Sequence, residues 1–204
     1  WIVRAEYAGD AETGGTHGSG VGTVQFSVEP ARVSLPASLY IVGVPMAPAD
    51  GDLRNVFRKP GTNQPANFQT AAYTGKAGAP YVYGPAAPFP AMKPGDGFWL
   101  RAVEPIQAVA SGRAVDHGKE FAIKVQPGWQ LIANPFLAPI DWAAVQFSTG
   151  TQRLSLAQAR AAGVAFDHAW AYDGAQKGYR LVHAFAEGAA RRVDAWQGVW
   201  FLSR

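Results

Sequence analysis

The sequence predicts an all-β protein with one short helix near residues 155–162, built from two β-units related by an approximate two-fold duplication. Three observations carry this prediction. Gly 23 and Pro 15 make up nearly a fifth of the 204 residues, against roughly 12% in average chains, so the chain is punctuated too often for long helices. Apolar residues alternate with polar ones in short runs bounded by Gly and Pro, the pattern of half-buried strands. Motifs also recur at offsets of 90 to 101 residues, the mark of an internal duplication. With 48% hydrophobic and 16% charged residues, the composition is that of a chain that buries a core rather than a disordered one. No apolar run reaches the length of a membrane-spanning helix.

The first segment, residues 1–30, reads as a hairpin. Val3, Ala5 and Tyr7 share one face of an alternating strand, and Val24, Phe26 and Val28 share one face of a second strand that Pro30 stops. Gly14, Gly15, Gly18, Gly20 and Gly22 fill the loop between them. Two strands alone are marginal in water, and their edges need hydrogen-bonding partners. Val3, Tyr7, Val24, Phe26 and Val28 are therefore candidate subunit contacts, with a neighbouring subunit as the expected partner.

Ala5, Tyr7, Gly9 and Asp10, followed by Val24, Phe26 and Val28, resemble the C-terminal strands of a bacterial immunoglobulin-like repeat. The resemblance covers residues 1–29. It implies that Tyr7 is a corner tyrosine and that this hairpin ends a domain whose earlier strands lie elsewhere, so the chain reads as a piece of something larger.

Residues 31–104 and 126–204 form the two β-units. Leu39-Tyr40-Ile41-Val42-Gly43-Val44-Pro45 aligns with Trp129-Gln130-Leu131-Ile132-Ala133-Asn134-Pro135 at an offset of 90. Asp52 and Asp141 follow as N-caps of a single helical turn. Ala72-Tyr73-Thr74-Gly75 matches Ala171-Tyr172-Asp173-Gly174, and Tyr81 answers Tyr179, both in hairpins with Gly in the turn. Each unit closes on the same device, Gly97-Phe98-Trp99-Leu100 and Gly198-Val199-Trp200-Phe201. The second unit carries extra residues as a helix, with Ser155 and Gln158 as a capping box and Gly163 as a left-handed C-cap. Residues 105–125 read as a bridging hairpin, Ile106–Ala110 against Glu120–Val125.

Pro127-Gly128-Trp129-Gln130-Leu131-Ile132, Asn134-Pro135, Asp141-Trp142, Trp170-Ala171-Tyr172-Asp173 and Gly198-Val199-Trp200 resemble a tandem module of secreted and surface bacterial proteins. In that pattern W-x-L-I-x-x-P opens a unit and G-x-W-L closes it. The resemblance covers residues 33–204 and implies an extracellular or cell-surface location and a noncatalytic role.

Chemistry is sparse. Cysteine is absent, which removes disulfides, thiol catalysis and cysteine-based metal sites. His17, His117, His168 and His183 show no metal-ligand spacing. Asp167 and His168 are neighbours on a strand, whose side chains point to opposite faces, so they make a poor dyad. No serine motif has a nucleophile-elbow context, and the glycine-rich stretch 14–20 lacks the lysine of a phosphate cradle. The expectation is therefore no enzyme, no cofactor and no metal. The net charge of +3 is scattered, with no basic stripe for nucleic acid.

The tryptophans and tyrosines read mainly as core anchors, because Trp99 and Trp200 hold equivalent positions. Trp196, which has Gly95 as its counterpart, is the candidate surface contact for a sugar, with Tyr81 and Tyr83. The expected function is that of a noncatalytic extracellular structural module of a surface protein, adhesin or filament. It would act by self-association or by contact with neighbouring domains of a larger chain, through β-strand contacts. The alternative is a carbohydrate-binding accessory module of a secreted protein, with polysaccharide as the partner.

Overall fold

The structure, a computed structural model, describes residues 2–5, 31–49, 51–86, 89–150 and 152–204. After β1 (Ile2–Ala5), the first half contains β2 (Ala31–Leu35), β3 (Leu39–Val42), β4 (Met46–Pro48), α1 (Leu53–Val56), β5 (Phe57–Arg58), β6 (Phe68–Tyr73), β7 (Tyr81–Gly84), β8 (Phe98–Ala102), β9 (Ile106–Ala110) and β10 (Gly112–Ala114). The second half contains β11 (Phe121–Lys124), β12 (Gly128–Ala133), β13 (Ile140–Asp141), a 3₁₀ turn (Trp142–Ala144), β14 (Gln146–Ser148), β15 (Arg153–Ser155), α2 (Leu156–Ala161), β16 (Ala165–Asp173), β17 (Gly178–His183), β18 (Arg192–Val193) and β19 (Gly198–Ser203). The class is all-β, as the alternating runs predict.

Each half is built around two larger antiparallel sheets, with a two-stranded ladder beside them, β10-β4 in the first half and β13-β18 in the second. In the first, an inner sheet of order β3-β8-β6-β7 lies over an outer sheet β2-β9-β5. In the second, the inner sheet is β12-β19-β16-β17 and the outer is β11-β1-β14-β15. Alternation sorts the side chains: Phe98, Leu100 and Ala102 of β8 are buried between the first pair of sheets, while Trp99 and Arg101 face the other way. Val199, Phe201 and Ser203 of β19 do the same in the second half. Asp52 and Asp141 cap their short turns by accepting from the backbone N–H of Arg54 and Ala143, each at 2.9 Å. Ser155 and Gln158 close the capping box of α2.

The outer sheets differ in where their middle strand comes from. In the first half, Ala108 of β9 lies opposite Val33 on one side and Phe57 on the other. In the second, Val3 of β1 lies opposite Ile123 and Phe147, which stand 90 residues beyond Val33 and Phe57. Strand β1 thus occupies in the second outer sheet the place that β9 occupies in the first. Val3 therefore sits within the sheet of its own chain, where a neighbouring subunit was expected. Tyr7, Val24, Phe26 and Val28 lie outside the described residues.

The bridging hairpin expected over 105–125 does not form. Ile106–Ala110 is the middle strand of the first outer sheet, and Phe121–Lys124 pairs with β1. The turn-rich residues between them instead send β10 back to pair with β4. Two adjacent alternating runs fit a hairpin in sequence, but Ile106–Ala110 pairs with β2 and β5, and Phe121–Lys124 with β1.

The halves interlock where β3 passes β12. Gly43 N–H donates to the Trp196 carbonyl at 3.0 Å, and Ala133 N–H donates to the Gly95 carbonyl at 2.9 Å, a reciprocal pair. A Cβ on Gly43 would overlap the Cβ of Ala133 and come within 2.7 Å of the Asp96 carbonyl oxygen. Gly95 (φ +90°) and Trp196 (φ +67°) both take left-handed backbone conformations, which in a tryptophan costs about 1 kcal/mol or more.

Trp196 is not a surface residue. It is 4% exposed and belongs to the first half's core with Val42, Met46 and Phe98, because its loop crosses to the other unit and carries the ring with it. The reciprocal loop brings Gly95, and there the second half places Phe121 against Phe136, with ring centroids 6.2 Å apart.

The close approach of β3 and β12 leaves no room for a methyl group. Gly43→Ala is expected to lower the unfolding free energy by about 1–3 kcal/mol, the usual cost of overpacking. Urea denaturation checks this, and an unchanged midpoint would show that the strands can separate without penalty.

Candidate functional site

The outward faces of the two inner sheets meet, and their aromatic residues meet with them. Tyr73 of β6 contacts Trp200 of β19 at 4.8 Å between ring centroids, and Trp99 of β8 contacts Tyr172 of β16 at 5.2 Å, both edge to face. Each half's tyrosine thus touches the other half's closing tryptophan. Edge-to-face pairs of this kind contribute about 0.5–1.5 kcal/mol beyond their burial.

The two flanks of this seam differ. On one, Ser38 Oγ donates to the Gly174 carbonyl at 2.9 Å, and a Cβ on Gly174 would come within 2.6 Å of the Leu39 carbonyl oxygen. The hairpin turn there closes onto β3. On the other flank, the residues aligned with Ser38 and Leu39 are Gly128 and Trp129. A Cβ on Gly128 would meet nothing within 4 Å, and one on Gly75 only the ring of Tyr73. A glycine offers no hydroxyl to hold the turn, and the Trp129 indole lines the space left there.

The result is a cleft of about 510 Å³ lined by Tyr73, Tyr81, Trp129, Trp170, Tyr179 and Trp200. Trp129 is 44% exposed and Tyr179 55%. Trp129 stands nearly perpendicular to Trp200, at 88° and 6.2 Å, so the rings form walls rather than one flat platform. Burial pushes the Tyr81 phenol above its ordinary pKa, while a hydrogen bond with Trp99 acts against it. The hydroxyl therefore stays protonated and able to donate. No lining side chain carries a charge at neutral pH.

Of the residues expected to touch a sugar, Tyr81 lines the cleft. Tyr83 is 71% exposed at its rim, with its ring 6.3 Å from that of Tyr81, and Trp196 is buried in the core as described. Trp129, Trp170 and Trp200, read as core anchors, are at least partly open to the cleft. The readable signal was that Trp129 aligns in sequence with Leu39.

A polar cluster lies on β16 beyond the cleft. The strand's register shifts between Ala165 and Ala169, and this irregularity lets Asp167 Oδ1 lie 3.1 Å from His168 Nδ1. The rule that neighbouring strand residues point apart does not hold here, because it assumes a regular pleat. Asp167 also accepts from Arg160 at 2.8 Å and faces His183 Nε2 at 3.3 Å. The Nδ1 of His183 accepts two backbone N–H groups, from Phe185 and Ala186, each at 2.9 Å. That assigns the ring hydrogen to Nε2, which faces Asp167. Among the described residues, no group of three or more His, Cys, Asp or Glu side chains could hold a metal ion.

Partial burial pushes the Asp167 carboxyl up, but hydrogen bonds from Arg160, His168 and His183 and the Arg160 charge outweigh it and hold the pKa at about 2. A depressed carboxylate stabilises the fold above its unfolded pKa, near 4, and that contribution is lost as pH falls toward 2. Asp167→Asn is therefore expected to destabilise the protein at pH 5 and to differ much less from the wild type near pH 2. Denaturant midpoints at the two pH values check this, and an equal effect at both would remove the ion-pair account.

No protein-family model, curated protein or solved structure matches the chain, so the functional reading rests on the fold and on this cleft.

Proposed function

We propose that the chain is a noncatalytic extracellular module of a surface protein that binds carbohydrate in the aromatic cleft between its two β-units. The observation that carries this reading is the cleft itself: six aromatic side chains, none charged, line an open space of about 510 Å³. Indole and phenol faces bury the C–H faces of a sugar ring while tyrosine hydroxyls meet its hydroxyls. The absence of a carboxylate from the lining favours a neutral ligand over a quaternary ammonium, whose charge gains from a nearby acid as well as from the rings. The two halves are read as copies of one unit, with Trp129 in place of Leu39 as the change that opened the cleft. The extracellular placement is supported by the resemblance of residues 33–204 to a tandem module of secreted and surface bacterial proteins.

A second reading, a structural subunit of an adhesin or filament joined by β-strand contacts, is favoured by one observation. Strand β1 enters the sheet between β11 and β14 from far away in sequence, and 25 residues separate its end from the start of β2. A connection of that length lets such a strand serve its own slot or that of a second copy. Mass measurement across a concentration series separates the two readings, since a chain that stays monomeric throughout does not build filaments by strand exchange.

Binding is tested by titrating neutral oligosaccharides while following tryptophan fluorescence. Trp129→Ala is expected to weaken binding by about tenfold or more, as removal of a stacked aromatic contact does, and to leave the melting temperature nearly unchanged. A Trp129→Ala chain that binds as tightly as the wild type would place the ligand elsewhere.

A further inference from the structure

We infer a second binding site, independent of the cleft, on the outer face of the β2-β9-β5 sheet, and assign it to a saccharide carrying a carboxylate or sulfate. Arg32 on β2 lies opposite Val109, and Arg58 on β5 lies opposite Gln107. Val109 and Gln107 share one face of β9, so the two arginines flank the middle strand on the same side of the sheet. Ordinary strand spacings put their Cα atoms about 12 Å apart, within reach of two long side chains converging on one group. Both arginines border two adjoining grooves, of about 270 Å³ and about 230 Å³.

Arg58 is held ready. It is half-buried, its Nε donates to the Asn55 carbonyl at 2.6 Å, and its Nη1 donates to Asn63 Oδ1 at 2.9 Å. Both partners are neutral, so they fix the plane of the guanidinium without cancelling its charge. Among the described residues, neither Arg58 nor Arg32 forms an ion pair with a carboxylate; the nearby pairs are Lys59 with Glu104 and Arg54 with Asp52. Two positive charges in one groove, neither paired with a carboxylate among the described residues, raise the local concentration of anions, and a fixed guanidinium fork matches an oxyanion in two-point geometry. The rest of the lining selects a saccharide. Thr62, Asn63 and Gln107 bring hydroxyl and amide groups to the groove, which suit the hydroxyls of a sugar. The second half has Ala122 and Ser148 where the first has Arg32 and Arg58, so the charged groove belongs to the first half alone.

The test is an NMR titration of the full chain with three probes: trigalacturonate, the neutral trisaccharide maltotriose and sodium sulfate. Trigalacturonate is expected to shift the side-chain amides of Gln107 and Asn63, with an affinity that falls as salt rises. Arg32→Gln and Arg58→Gln should each weaken it by about tenfold, the scale of one lost charge-assisted hydrogen bond, and Trp129→Ala should leave it unchanged. Arg58→Lys, which keeps the charge and loses the fork, should fall between. If Arg58→Gln disturbs folding, the exposed Arg32→Gln decides alone. The inference is overturned if those amides do not respond, if Arg32→Gln binds like the wild type, if maltotriose acts as well as trigalacturonate, or if only sulfate binds.

Discussion

The tight crossing of β3 and β12 at Gly43 and Ala133 is the constraint on which the rest of the structure depends. With no side chain at Gly43, the two backbones come close enough for each half to receive a hydrogen-bonded loop from the other. Those loops carry Trp196 into the first core and set Gly95 against the second. The same approach brings the outward faces of the two inner sheets together, so Tyr73 reaches Trp200 and Trp99 reaches Tyr172. A wider crossing would separate these pairs, and the aromatic walls of the cleft with them.

Trp196 illustrates how packing overrides local preference. Its left-handed backbone is unfavourable for a residue with a large side chain, and burying an indole contributes several kcal/mol in the other direction, on the scale of a Trp→Ala core substitution. The two units solve the same crossing differently. One accepts a foreign tryptophan into its core, and the other fills its own space with Phe121 and Phe136 and accepts a glycine. That exchange of large for small across the interface makes each half's core depend on the other's loop.

Much of the fold could be read from alternation and repetition. The strands around Leu39–Val42, Phe98–Ala102 and Gly198–Ser203, the capping box at Ser155 and the aspartate caps all follow from short-range rules. What could not be read is long-range. Nothing local distinguishes Trp196, which enters a core in the other half, from a tryptophan on an exposed turn, and its alignment with a glycine pointed the wrong way. Ile106–Ala110 and Phe121–Lys124 satisfy hairpin spacing, but burial assigns them to different sheets. The cleft was legible only as a difference between units, Trp129 against Leu39 and Gly128 against Ser38, and that difference gains meaning once the seam's two flanks are seen. The pairing of Asp167 with His168 depends on an irregular strand that alternation does not reveal.

The two halves share one interlocked core, locked at the crossing of β3 and β12. Native-state hydrogen exchange at the amides of Gly43 and Ala133 tests it most directly, because each is bonded to the other half's loop. Both amides are expected to exchange only by global unfolding, with the same free energy as the core amides of β8 and β19. Exchange of Gly43 and Ala133 at a distinctly lower free energy, while the two cores stay protected, would show that the halves separate on their own and would contradict it.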